Sequence, residues 1–178
     1  MNHGSPGHAP PASLEEKEFK QFQALIYQLA GISLAAHKRP LVAGRLHKRL
    51  RHHGLTHYGE YIALIEGPQG QAERQVMVDL LTTNETYFFR EAAHFEFMRT
   101  EIFPNYHRRK LRIWSAACSS GEEIYTAAMV AAEALQDNWS ILGSDISTRV
   151  LESAKQALYP LDAADSIPAH LLKKYCLK

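Results

Sequence analysis

Residues 111–124 constrain the fold more than any other part of the chain. A short apolar run (Leu111, Ile113, Trp114, Ala116, Ala117) gives way to Ser119, Ser120 and Gly121, and a helix-forming run begins at Glu122. The pattern predicts a strand, a tight turn and a helix. Small residues at such a turn let a ligand approach the backbone, and the amides that open the helix carry partial positive charge. About twenty residues on, 139–142 forms a second short apolar run that ends in Gly143, Ser144 and Asp145, and an acid at the tip of a second strand is where a nucleoside ribose is commonly held. The unit therefore points to a nucleoside-containing cofactor. A plainer reading has Ser119, Ser120, Glu122 and Glu123 capping one helix and Asp145 capping the next. One glycine stands where the dinucleotide fingerprint has three, so this unit alone leaves both readings open.

The 178 residues allow one ordinary domain or two small ones, and a hydrophobic content of 46% is enough for a packed core. The net charge of +1 excludes little; its distribution says more. No apolar run approaches the roughly 18 residues of a membrane span, and the start lacks the apolar segment of a signal peptide, so a soluble cytoplasmic protein is expected. The two cysteines, Cys118 and Cys176, show no C-x-x-C spacing, which argues against a disulfide framework or a zinc site.

Residues 1–12 hold three Pro, two Gly and two His and read as a disordered tail. Ser13 and Glu16 have the S-x-x-E form of a capping box, and Phe19, Phe22, Ile26 and Leu29 recur at helical spacing up to Gly31. A second helix is expected over 40–53, with Pro40 in its first turn, Gly54 at its end and an apolar stripe of Val42, Leu46 and Leu50. Arg45, Lys48, Arg49 and His52 share a neighbouring face, with Arg51 beside them. Such a face suits phosphate or an acidic protein surface, or is merely solvated. His52, His53 and His57 make a poor metal cluster, because Gly54 interrupts the helix that would align them. Two further helices, over 58–65 and 71–81, complete an all-helical region, the last packing through Val76, Met77, Leu80 and Leu81.

The next stretch, Leu80-Leu-Thr-Thr-Asn-Glu-Thr-Tyr-Phe-Phe-Arg-Glu91, has no clean period and sets hydrogen-bonding groups beside aromatics and a cation. Burying such a loop is costly unless something pairs with it. Together with Trp114-Ser-Ala-Ala-Cys-Ser-Ser-Gly-Glu-Glu123 and Ile141-Leu-Gly-Ser-Asp-Ile-Ser-Thr-Arg-Val150, it closely resembles the CheR-type chemoreceptor glutamate methyltransferases. The likeness runs from about Phe19 to the end of the chain, with three long motifs in the family's order and spacing.

The resemblance implies an α/β fold with an all-α N-terminal domain. It further implies a partial class I, Rossmann-like methyltransferase domain that stops after two predicted parallel strands, 111–116 and 140–144, with one last helix over 168–175. The expected organisation is a tail over 1–12, a helical domain over 13–81, a linker and cofactor-contacting segment over 82–110, and an incomplete S-adenosylmethionine-binding domain over 111–178. By the same resemblance Asn84, Thr86, Arg90, Glu123 and Asp145 contact the cofactor, Arg90 also forming the catalytic set, while Phe88 and Phe89 pack.

Arg90 suits the cofactor's carboxylate, Glu123 rather than Glu122 its ammonium group, and Asp145 its ribose. Arg45, Lys48 and Arg49 become the residues that dock the acidic methylation region of a chemoreceptor. The implied activity is transfer of a methyl group from S-adenosylmethionine to receptor glutamates, giving methyl esters and S-adenosylhomocysteine, without metal. No general base is required, because glutamate is ionised at about pH 7.

The implied partner is the receptor's cytoplasmic domain, through which alone the protein would be peripheral to the membrane. Nucleic acid is not expected, since the aromatic loop lacks interleaved basic residues. Ile124 stands where the family usually has proline. Few strands leave sheet edges open, which predicts self-association, and a receptor- or cofactor-binding module without transfer activity is the alternative function.

Overall fold

The computed structural model describes residues 13–106, 110–135 and 137–176; the tail expected over 1–12 lies outside them. The chain divides into two compact units, one ending at Thr83 and the other beginning at Asn84.

The first unit is helical. Helix α1 (Glu16–Ala30) buries Phe19, Phe22 and Ile26 and ends at Gly31 in the left-handed conformation. Its cap is Glu15 rather than Ser13: the Glu15 amide donates to Glu18 Oε2 at 2.9 Å, and the Glu15 side chain accepts from the Glu18 amide. The reciprocal pairing keeps the expected i, i+3 spacing, moved along by two residues. Leu29, expected on the apolar stripe, is exposed.

Helix α2 (Arg39–His52) carries Pro40 in its first turn and buries Val42, Leu46 and Leu50. Helix α3 (Tyr58–Glu66) buries Tyr58, Tyr61, Ile62 and Ile65, and Glu60 accepts the Thr56 and His57 amides at its start. Helix α4 (Gln71–Leu81) presents Glu73, Met77, Val78 and Leu81 to the core. The buried face is thus rotated from the one expected, because Glu73 turns inward to meet Arg49 and Tyr61.

In the second unit, strands β1 (Leu111–Ser115) and β2 (Trp139–Gly143) pair in parallel, Leu111 opposite Trp139 and Ser115 opposite Gly143. A parallel pair needs a crossover, and helix α6 (Glu122–Leu135) supplies it. Residues 84–106 contain helix α5 (Ala92–Phe97), one π-type turn and one 3-10 turn. They pack within this unit: Phe95 and Phe103 join Leu111, Ala127, Val130, Ala131 and Leu135 in one core. The opposite face of the sheet carries Trp114 and Leu142, which are exposed. Among the described residues neither strand has a second neighbour.

Helix α7 (Thr148–Gln156) follows β2 and is capped by Ser147. Helix α8 (Ala169–Tyr175) closes a second cluster in which Phe88, Met129, Ile167 and Leu171 are buried. The architecture is a strand–helix–strand α/β unit of Rossmann-like type preceded by an all-α unit. No described helix is long and apolar enough to cross a membrane.

Candidate functional site

The turn between β1 and α6 is built for close approach. The Cys118 amide donates to Ser144 O at 3.0 Å, and the Ser144 amide to Ser115 O at 3.0 Å, so the two strand ends are stitched together. Ser119 and Gly121 take positive φ values of 49° and 102°. At Gly121 a Cβ would lie 2.8 Å from Tyr159 Oη and 3.0 Å from Tyr125 Cε2, so only glycine fits. Tyr159 reaches the same turn, its hydroxyl donating to Ser120 O at 2.7 Å. Burial pushes the Tyr159 pKa up, and the nearby Glu122 charge adds to the shift, which keeps the hydroxyl a donor.

Beside this turn opens a cleft of about 440 Å³ whose wall includes Thr86, Arg90, His94, Trp114, Ser119 and Glu123. Its size falls in the range of small-molecule sites. Arg90 lies on the loop after Thr83, and its Nη1 donates to Glu85 O at 2.8 Å, an arrangement that leaves most of the guanidinium's donors available. Glu123 sits in the first turn of α6, where the helix favours an acid, and its Oε1 accepts from Ser115 Oγ at 2.6 Å. Glu122 instead accepts from Ser120 Oγ at 2.7 Å and is not on the cleft wall. The cleft thus holds a guanidinium and a carboxylate against apolar and aromatic surface, the complement of a zwitterion joined to an apolar body.

The expected cofactor residues are not all gathered on that wall. Thr86, Arg90 and Glu123 line it; Asn84 and Asp145 do not. Both reach it through Ser119, whose Oγ donates to Asn84 O at 3.3 Å and whose amide donates to Asp145 Oδ2 at 2.9 Å. Asp145 Oδ1 also accepts the Ser147 amide at 2.9 Å. The carboxylate therefore braces the tip of β2 against the turn after β1, with lone pairs to spare. Cys118 is buried under the same turn; burial raises its pKa, and the Asp145 charge adds to this.

Sequence reasoning missed several members of the site. Ser115, the last residue of β1, holds Glu123, and Trp114 Nε1 donates to Ser144 Oγ at 3.0 Å. Thr126, fully buried in α6, donates to Glu122 O at 2.7 Å and accepts the Phe89 amide at 3.1 Å. A hydroxyl inside an otherwise apolar helical face was the available signal for Thr126. Phe88 and Phe89 do pack, Phe88 against Tyr159 and Phe89 against Phe95.

The basic face of α2 is largely engaged inside the helical unit. Arg45 Nη1 donates to Leu80 O at 3.1 Å and Thr82 O at 2.9 Å, which satisfies carbonyls at the end of α4. Arg49 donates through Nε and Nη2 to the two oxygens of Glu73, at 2.8 and 2.6 Å. Burial alone would raise the Glu73 pKa, but the bonds from Arg49, Tyr61 and His53 outweigh it and hold the carboxyl at about 2. Lys48, Arg51 and His52 are exposed. No cluster of His, Cys, Asp and Glu that could hold a metal ion occurs among the described residues.

Fold and cleft together define a class: a Rossmann-like unit whose cleft carries a guanidinium and a carboxylate, in a chain whose first unit is helical. Family comparison gives the rest. Residues 84–178 match the CheR methyltransferase SAM-binding domain, and residues 17–82 match the CheR methyltransferase all-alpha domain. The chain is 41% identical over 172 residues to the chemotaxis protein methyltransferase of Salmonella typhimurium, covering 93% of this chain and 58% of that protein. The Escherichia coli chemotaxis protein methyltransferase gives the same identity and coverage. Chemotaxis protein methyltransferase 2 of Pseudomonas aeruginosa is 42% identical over 166 residues, covering 91% of this chain and 59% of that protein.

The chain belongs to the CheR methyltransferase family, and the methyl donor its second unit is matched to is S-adenosylmethionine. It spans about three-fifths of the length of these relatives.

Proposed function

We propose that the chain takes part in methylating glutamate side chains of bacterial chemotaxis receptors. The observation that carries this reading is the cleft bearing both Arg90 and Glu123 on a domain matched to S-adenosylmethionine binding. Arg90 would bind the cofactor's carboxylate through paired N–H donors, and Glu123, oriented by Ser115, would accept from its ammonium group. Thr86 adds a hydroxyl to the same wall. Asp145 and Asn84 support the site through Ser119, and the spare lone pairs of Asp145 are the acceptors for the ribose. The bound cofactor supplies an activated methyl group on a good leaving group. The protein's share of the work is then to align the incoming carboxylate and exclude water, and the half-enclosed cleft with Trp114 and Tyr87 on its wall suits that role.

Receptor docking is assigned to the basic face of α2. Lys48 and His52 are its exposed members, with Arg51 beside them, while Arg45 and Arg49 hold the helix in place from within the unit. An acidic receptor surface would be drawn to this face by charge, more strongly at low salt. The protein acts in the cytoplasm and meets the membrane only through the receptor. Exposed Trp114 and Leu142, on a sheet with no third strand among the described residues, favour self-association as well.

The deciding experiment incubates the chain with labelled S-adenosylmethionine and purified receptor cytoplasmic domain, then measures alkali-labile label on the receptor. Ester label that disappears in Arg90→Ala supports transfer by this chain. Receptor or cofactor binding without label would make it a binding module instead.

A further inference from the structure

We infer that Thr126 is a positioning residue for the cofactor cleft, fixing Arg90 through the backbone of Phe89. The inference rests on the reading of Arg90 as a cofactor contact. Arg90 lies between Phe89 and Glu91, whose φ values are 57° and 54°. Left-handed backbone is costly for residues with a Cβ, and most of all for a bulky ring. Such a segment persists only where its surroundings over-determine it.

Thr126 supplies a fixed part of that determination. Its side chain is fully buried, and its hydroxyl proton is committed to Glu122 O at 2.7 Å. That bond orients the oxygen so that its lone pair accepts the Phe89 amide at 3.1 Å. A Thr hydroxyl bonded to the carbonyl four residues earlier is an ordinary helix feature; the second bond, to a strained residue of another segment, is not. The ring packing of Phe88 and Phe89 holds the loop against the unit, and the Arg90 amide donates to Tyr87 O at 3.3 Å within the loop; the Thr126 bond ties the peptide between Phe88 and Phe89, and with it the backbone leading into Arg90, to helix α6. With valine in its place the volume stays the same, while the Phe89 amide loses its acceptor. The loop is then free to relax out of the left-handed region and carry the guanidinium with it.

The test is calorimetric titration of the 178-residue chain with S-adenosylhomocysteine, comparing wild type, Thr126→Val and Thr126→Ser, alongside hydrogen exchange at the Phe89 amide. Thr126→Val is expected to weaken binding by about tenfold or more, the scale of one unsatisfied buried amide. Its Phe89 amide should exchange faster, while Thr126→Ser, which keeps the hydroxyl, should retain both near-wild-type affinity and protection.

Wild-type affinity in Thr126→Val would overturn the inference, and so would equal weakening in Thr126→Ser, since methyl packing would then be the cause. If Thr126→Val does not fold, the Phe89 amide of the wild type decides, because an unprotected amide there overturns the inference. A folded wild-type chain that binds no S-adenosylhomocysteine is a different failure: it overturns the cofactor reading, and with it the purpose given to this contact.

Discussion

Replacing Glu73 with Gln removes one charge from the middle of the helical unit while nearly preserving shape. The carboxylate accepts from Arg49 through both oxygens, from Tyr61 Oη at 2.7 Å, and lies 3.1 Å from His53 Nε2. Its pKa stands at about 2 against an ordinary 4.5, although burial pushes the other way. At about 1.4 kcal/mol per pH unit, the charged form is favoured by about 3 kcal/mol in the folded state. The side chain is only 11% exposed, so solvent screens little of this, and the figure lies at the lower end of what breaking a buried ion pair costs.

Glu73→Gln should therefore destabilise the helical unit by about 3 kcal/mol at neutral pH, lowering its melting temperature by on the order of 10–20 °C. Urea unfolding followed by far-ultraviolet circular dichroism reads this directly. The pH dependence has a definite sign. The folded-state pKa lies below the unfolded one, so the stabilisation is complete above about 4.5 and is lost as the pH falls through about 2. Wild type should lose stability across that window, and Glu73→Gln should lack this component. A variant within about 0.5 kcal/mol of wild type, the usual scatter of surface changes, or with the same acid slope, would refute the reasoning. It would also release Arg49 for docking.

Gly121→Ala should destabilise the second unit by on the order of 2–3 kcal/mol through backbone strain and collision with Tyr159; an unchanged melting temperature would contradict the turn geometry. Arg90→Ala should weaken S-adenosylhomocysteine binding by about 1–3 kcal/mol with little effect on stability. Asp145→Ala should lower both, because it also removes the acceptor of the Ser119 and Ser147 amides. Lys48→Glu should weaken receptor binding, measured by co-sedimentation, without altering the unfolding midpoint. Arg45→Glu should reduce both, because it abandons Leu80 O and Thr82 O.

The elements set by local pattern were legible in the sequence. Apolar runs joined by Ser119, Ser120 and Gly121 read as strand, turn and helix, and the stripe of Val42, Leu46 and Leu50 faces the core as its spacing requires. What was not legible depends on partners distant in the chain. Glu73 looks like a solvent-facing acid on its own helix, and Arg49, 24 residues away, together with Tyr61 brings it inward. That pairing engages Arg49, one of the three docking candidates, and the carbonyls of Leu80 and Thr82 engage a second, Arg45, which no charge pattern on α2 reveals.

At the cleft, the acid after the turn could be read, but not the choice of Ser115 as its partner. The left-handed Phe89 carries no sequence signal at all, since an aromatic is an improbable residue for that conformation. Asp145 was read either as a ribose acceptor or as the cap of the next helix; the cap of α7 is Ser147, while Asp145 accepts the amides of Ser119 and Ser147.

Calorimetric titration of the folded 178-residue chain with S-adenosylhomocysteine tests the central claim most directly, that the cleft of Arg90 and Glu123 is a cofactor site. Saturable one-to-one binding, diminished in Arg90→Ala and in Glu123→Ala, is the predicted result. A folded sample that shows no saturable heat, or whose binding survives both substitutions unchanged, would contradict it.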